Sequence, residues 1–154
     1  IEQVQHTGAE SIAAAGAKSI TLTFNHPVKA LFWNGLSADA ATGVASYTAK
    51  LQLNGHDRFS EQSNMYFTGV QPYESGLKHT LSTGVSLTTA SSGMYSFCLK
   101  PGEHQPSGTC NFSRIDNAKL EQGQGGTNDN LNIYAVNYNV LRIMSGMGGL
   151  AYSN

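Results

Sequence analysis

The sequence predicts an all-β domain, an antiparallel sandwich or barrel of seven or eight short strands. Three observations carry that expectation. Apolar and polar residues alternate through several short runs. Turn residues punctuate those runs: Asn25-His26-Pro27, Asn54-Gly55, Pro101 and Pro106. Only one stretch, 58–67, has a helical look, with Asp57 as its cap.

The elements follow in chain order. Residues 1–5 read as a short first strand, with Ile1 and Val4 flanking polar residues, and 6–16 as a small, polar loop. Residues 19–24 form a strand with Ile20, Leu22 and Phe24 on one face. Pro27 ends it by removing an amide donor. Residues 28–33 are apolar on both faces, which predicts a strand buried on both sides or lying at a subunit contact. A Gly/Ala/Asp/Ser loop follows at 34–46.

Residues 47–54 alternate best. Tyr47, Ala49, Leu51 and Leu53 point inward, and Asn54-Gly55 supplies a tight turn. The 68–92 segment is a long loop rich in Ser and Thr, of the kind that is usually functional or mobile. Residues 94–99 are a strand with Tyr95, Phe97 and Leu99 on one face. After a turn at 100–107, Cys110 and Phe112 share a face of the next strand. The alternation slips at Arg114, so a bulge or bend is expected at 114–116, with Arg114 and Asp116 paired and Asn117 bonded to backbone. Gly-rich 122–129 is a loop. Residues 131–144 then read as one long central strand, and the glycines at 146, 148 and 149 turn the chain into a last strand at 150–152.

Composition narrows the function classes. The chain has 154 residues, enough for a real core without metals or disulfides. Charged residues make up 12%, against about 25% in an average soluble domain. A surface covered by partner subunits explains that, and so does an ordinary Ser/Thr/Asn surface. Net charge is −1, so no basic face is available for nucleic-acid phosphates. No apolar run approaches the ~20 residues of a membrane span, and no basic-then-apolar leader opens the chain. The chain starts at Ile1 inside a strand, which reads as a piece of a longer protein. Cys98 and Cys110 lack CxxC spacing and are expected as reduced core thiols.

Catalytic and cofactor signals are weak. The five histidines, His6, His26, His56, His79 and His104, include no His-x-His pair of the kind a cupin-like metal enzyme needs. No G-x-S-x-G elbow is present, and GQGG at 123–126 lacks the Lys-Ser/Thr of a phosphate loop. No enzyme, cofactor or metal is expected. Asn111-Phe112-Ser113 is a formal glycosylation sequon, but core neighbours favour an unmodified Asn111. Arg58 is expected to pair with Asp57 or Glu61, and Arg114 with Asp116, either as exposed pairs or at subunit contacts. A carbohydrate-binding sandwich is the alternative reading, with Trp33, Tyr66 and Tyr73 as its exposed aromatics.

Two long stretches carry a resemblance. HQPSGTCNFSRIDNA resembles a signature of the major capsid proteins of nucleocytoplasmic large DNA viruses, the phycodnavirus and iridovirus kind. NIYAVNYNVLRIMSGMGGLAYSN resembles the carboxyl end of the same proteins. Shorter matches run through IEQVQHTG, FNHPVKALFWN, LQLNGHDRF and YSFCLKP. Loops 34–46, 76–92 and 121–129 do not match. The resemblance implies an eight-stranded jelly-roll sandwich over 1–154, the second of two jelly rolls in a capsid subunit. It implies a virion protein assembled in the host cytoplasm as trimeric, pseudo-hexagonal capsomers. These would touch neighbouring capsomers and minor capsid proteins above an internal membrane that the chain does not span. Trp33, Arg58, Phe112, Arg114, Asp116 and Arg142 are the structural or interface candidates.

Overall fold

A computed structural model describes residues 1–12, 17–34, 47–77, 92–123 and 129–152. The strands in chain order begin with β1 (Glu2–Ile12), β2 (Lys18–Thr21), β3 (Pro27–Asn34) and β4 (Thr48–Leu53). Next come β5 (His56–Asp57), β6 (Gln62–Ser63), β7 (Gly93–Ser96) and β8 (Cys110–Asn111). The last four are β9 (Ala118–Gln122), β10 (Asp129–Tyr138), β11 (Leu141–Met144) and β12 (Met147–Leu150).

Two antiparallel sheets make the sandwich. The first runs β1-β10-β3-β7, with β8 also on β3. The second runs β2-β9-β4-β5, with β6 also on β4. With the short β5, β6 and β8 set aside, successive strands alternate between the two sheets up to β10. That is the jelly-roll wrap, the topology periodicity alone left open.

The core lies between the sheets, where alternation predicts it. Ile20, Leu51 and Leu120 from the second sheet meet Leu31, Trp33, Leu131 and Ile133 from the first. A chain of ring contacts runs from Trp33 through Phe67, Phe59, Tyr95 and Phe97 to Phe112 and Phe24. Gly93 is packed so closely on Trp33 that an added Cβ would lie 2.5 Å from the indole nitrogen. The Asn54-Gly55 turn is as expected: both residues have positive φ, 53° and 79°, and join β4 to β5.

Several expectations fail, each for a physical reason. β1 does not stop at residue 5 but continues to Ile12. Gly8, at φ 92°, lies in a register shift between His6 and Ala9, and pairing with β10 resumes beyond it. The 58–67 stretch is not a helix capped by Asp57. Asp57 belongs to β5, and Gln62–Ser63 pairs with β4. The helical segment lies further on, as a π-turn at Tyr66–Val70 that runs into α1 (Gln71–Glu74) and buries Phe67. Non-local pairing overrides local helix propensity there.

Residues 131–144 are not one strand. The chain breaks at Asn139-Val140, and β11 pairs with β12, not with the sandwich. The last strand is therefore Met147–Leu150 and not 150–152. β7 ends at Ser96, and Leu99, expected to share a face with Tyr95 and Phe97, is exposed. The bend expected at 114–116 is a 3-10 turn at Phe112–Arg114, where the Asn111 side chain accepts from the Ser113 amide at 3.1 Å.

Candidate assembly surfaces

Two features stand outside the core, and both start from a break in regular pairing. The first is at Lys29. Ala30 opposes Val136 but Val28 opposes Asn137, so Lys29 is the extra residue of a bulge. The bulge returns Val28 to the core and turns Lys29 to the outer face of the first sheet. There its Nζ donates to Glu2 Oε1 at 2.5 Å and to the Glu103 carbonyl at 3.1 Å. It also lies 5.2 Å from the centre of the Tyr138 ring. Lys29 is only 2% exposed.

A buried ammonium is costly unless it is paired. Burial pushes the Lys29 pKa down, but the hydrogen bond with Glu2, with Tyr138 adding, outweighs burial and raises it. The Lys29 hydrogen bond in turn holds the Glu2 carboxyl below its ordinary range. One cation thus ties together β1, β3, β10 and the turn at 100–107. Nearby on that face, His6 stacks on Tyr134 with centroids 4.6 Å apart.

The second feature is the joint at Asn139. Its amide donates to the Ile1 carbonyl at 2.9 Å, and the Ile1 amine donates to the Asn139 carbonyl at 2.8 Å. Its side chain donates to Gln3 Oε1 at 2.9 Å and to the Tyr152 carbonyl at 2.8 Å. Asn139 Oδ1 accepts from the Val140 amide at 2.7 Å. The joint ends the central strand, clamps both ends of the described chain together and launches β11. All of 141–150 is exposed, despite carrying five large apolar side chains.

The candidates singled out from the sequence are scattered. Trp33 is a core residue, 2% exposed, donating from Nε1 to the Tyr47 hydroxyl at 3.1 Å. Burial pushes the Tyr47 pKa up to about 12. Phe112 is buried on the expected face, edge-on to Phe24 and Phe97. Asn111 is exposed, on β8. Arg58 is exposed and forms no salt bridge among the described residues. Its expected partners are taken: Asp57 by Lys50 and Gln52, Glu61 by the Thr48 hydroxyl. Arg114 and Asp116 are exposed and unpaired with each other, and the Asn54 side chain instead accepts from the Asp116 and Asn117 amides. Arg142 is exposed on β11, opposite Gly149.

The aromatic set of the carbohydrate-binding alternative does not converge. Trp33 is buried and Tyr66 packs on Phe59 and Phe67, while Tyr73 is 86% exposed. Cys98 and Cys110 are free thiols, the first buried and the second half-buried. Burial raises the Cys110 pKa, with Arg58 opposing it, so its thiolate is scarce at neutral pH. His79 lies outside the described residues. Among the described residues no three His, Cys, Asp or Glu gather as a metal site would require, and no helix is long and apolar enough to cross a membrane. The roles of Lys29 and Glu2 are not legible in the sequence, and Asn139 reads there only as a polar interruption, with Asn137, of the apolar run at 131–144. The signal for the first is a lysine inside an otherwise apolar run.

Comparison with known proteins adds the identity of the fold. The model of the family described as large eukaryotic DNA virus major capsid protein matches residues 1–149. The major capsid protein of Pyramimonas orientalis virus is 47% identical, over all of this chain and 42% of the relative. That of Paramecium bursaria Chlorella virus 1 is 40% identical, over all of this chain and 48% of the relative. The alignment there runs over 218 positions against 154 residues here, so the relative carries insertions. The crystal structure of PBCV-1 VP54, fitted into a reconstruction of the virophage Sputnik, matches with a TM-score of 0.82 and 37% identity. That match covers 99% of this chain and 51% of the other. The chain thus spans about half the length of the relatives it matches. A jelly-roll sandwich with this strand order and these matches along nearly its whole length belongs to the major capsid protein family of large eukaryotic DNA viruses.

Proposed function

We propose that this chain is the second of two consecutive jelly rolls in a capsid subunit of the virion, and that it forms a wall and catalyses nothing. The whole subunit joins two further copies as a trimer, and its six jelly rolls make a pseudo-hexagonal tile. Tiles meet neighbouring tiles and minor capsid proteins in an icosahedral shell. The shell stands over an internal membrane that the chain does not cross, and the chain touches no nucleic acid directly. Assembly takes place in the host cytoplasm.

The observation that carries this reading is the match to PBCV-1 VP54, which covers 99% of this chain but only 51% of the other. The surface chemistry supports it. A domain with 12% charged residues can bury wide flat sides without stripping water from many ions. The sandwich itself is stiff, because its ring-packed core joins both sheets.

Sedimentation tests the proposal. The 154-residue chain runs as a monomer, because half of each inter-subunit surface lies in the other jelly roll. The chain extended upstream runs as a trimer. A lasting trimer of the 154-residue chain alone, or an extended chain that stays monomeric, overturns the reading.

A further inference from the structure

The C-terminal hairpin is an apolar arm that no other described residue covers. Leu141 pairs with Leu150, Arg142 with Gly149, Ile143 with Gly148 and Met144 with Met147, in a two-stranded sheet of their own. Side chains alternate between faces along a strand. One face therefore carries Leu141, Ile143 and Leu150 and no charge. The other carries Arg142, Met144 and Met147. Ile143 is 68% exposed and Met147 75%. An isolated two-stranded hairpin is marginally stable in water, and contiguous apolar surface marks an interaction site.

The foot of the hairpin says what covers it. Asn139, two residues before β11, exchanges backbone hydrogen bonds with Ile1 in both directions, at 2.8 and 2.9 Å. Any chain that precedes Ile1 leaves the sandwich at that foot. Ile1 is itself an exposed apolar side chain, as is Val140 beside it, so the apolar surface continues from the hairpin to the point of exit. The relatives hold about as much chain again as this one supplies. A domain tethered at the foot is held at high effective concentration against the arm, an advantage no separate molecule shares.

We infer that the hairpin docks on the domain preceding Ile1 in the same chain, through the uncharged face of Leu141, Ile143 and Leu150. The inference rests on the two-jelly-roll reading above. The arm then acts as a clasp between the two halves of one subunit, and it is free in the 154-residue chain because its seat is absent.

Two measurements on the chain extended upstream test it. The first is amide hydrogen exchange across 141–150, which needs no variant: exchange is about tenfold or more slower than in the 154-residue chain. The second places a photo-crosslinking residue at Ile143, and separately at Met147. Both positions are exposed, so folding is not at stake. The expected product at Ile143 is a link to the upstream half of the same polypeptide. A link to a second copy, or no link with unchanged exchange, overturns the inference. Limited proteolysis of the same sample separates this from the underlying reading. Two β-rich halves without the link reject the clasp alone, whereas a single β-rich half rejects the two-domain reading itself.

Discussion

Ile133 and Ile143 belong to one apolar run and meet opposite fates. Ile133 lies on β10, the central strand of the first sheet, and is fully buried. Ile143 lies on β11 and is 68% exposed. Their local chemistry is the same: a β-branched residue in an alternating strand. The difference is made at Asn139, whose side chain takes up backbone groups that a continuing strand would have left to its neighbours. Alternation tells which face a side chain takes. Whether that face has cover is decided elsewhere in the chain, or in another domain.

That contrast can be broken or sharpened by mutation. The largest effect belongs to the body. Phe112→Ala removes a ring packed between Phe24 and Phe97, at a cost of about 3–5 kcal/mol. Denaturant unfolding measures it, and an unchanged midpoint would show that Phe112 is not part of the core.

An intermediate effect belongs to the Lys29 clamp. The Glu2 carboxyl is held below its ordinary 4.5 by Lys29, so its contribution is complete above that pH and fades as pH falls through the lowered value. The Lys29 pKa is raised above its ordinary 10.5, so on the alkaline side the contribution lasts to that pH and is lost as pH rises through the raised value. Glu2→Gln costs about 1 kcal/mol at neutral pH, since the partly exposed carboxylate is screened by water. Thermal melts from pH 7 to pH 3 show wild type and variant converging in acid. A gap that stays constant with pH would mean that charge plays no part.

The smallest effect belongs to the arm. Ile143→Ala in the 154-residue chain changes stability by no more than about 0.5 kcal/mol, the usual range for surface positions. A loss of the size seen at Phe112 would show that the hairpin packs on the sandwich.

Much of the body is legible because its signals are local. The alternation at 47–54, the Asn-Gly turn and the inward face of Phe112 each follow from residues within a few positions of one another. The capsid signature around Cys110 identified the family from a continuous stretch. The features that differ from expectation depend on distant parts of the chain. A helix is expected at 58–67 because nothing local reveals that Gln62–Ser63 pairs with β4. The first strand looks short in the sequence because Gly8 reads as a loop residue until β10 is alongside it. Lys29 is not legible because a bulge depends on the register of two strands far apart in sequence. Trp33 is exposed only in the carbohydrate-binding alternative; the strand at 28–33 is expected to be buried or at a subunit contact, and Gly93 on a neighbouring strand makes room for the ring inside.

The position of β10 bears on how such a wall is manufactured. It sits between β1 and β3, yet it follows both of them, β3 by about a hundred residues, in the order of synthesis. Until it emerges, the strands it will join wait with bare hydrogen-bonding edges, and the first sheet cannot close. Closure is thus a late, long-range event, slow by topology and open to wrong partners in the interval. The interval between the synthesis of β3 and that of β10 is when unfinished copies most need to be kept apart.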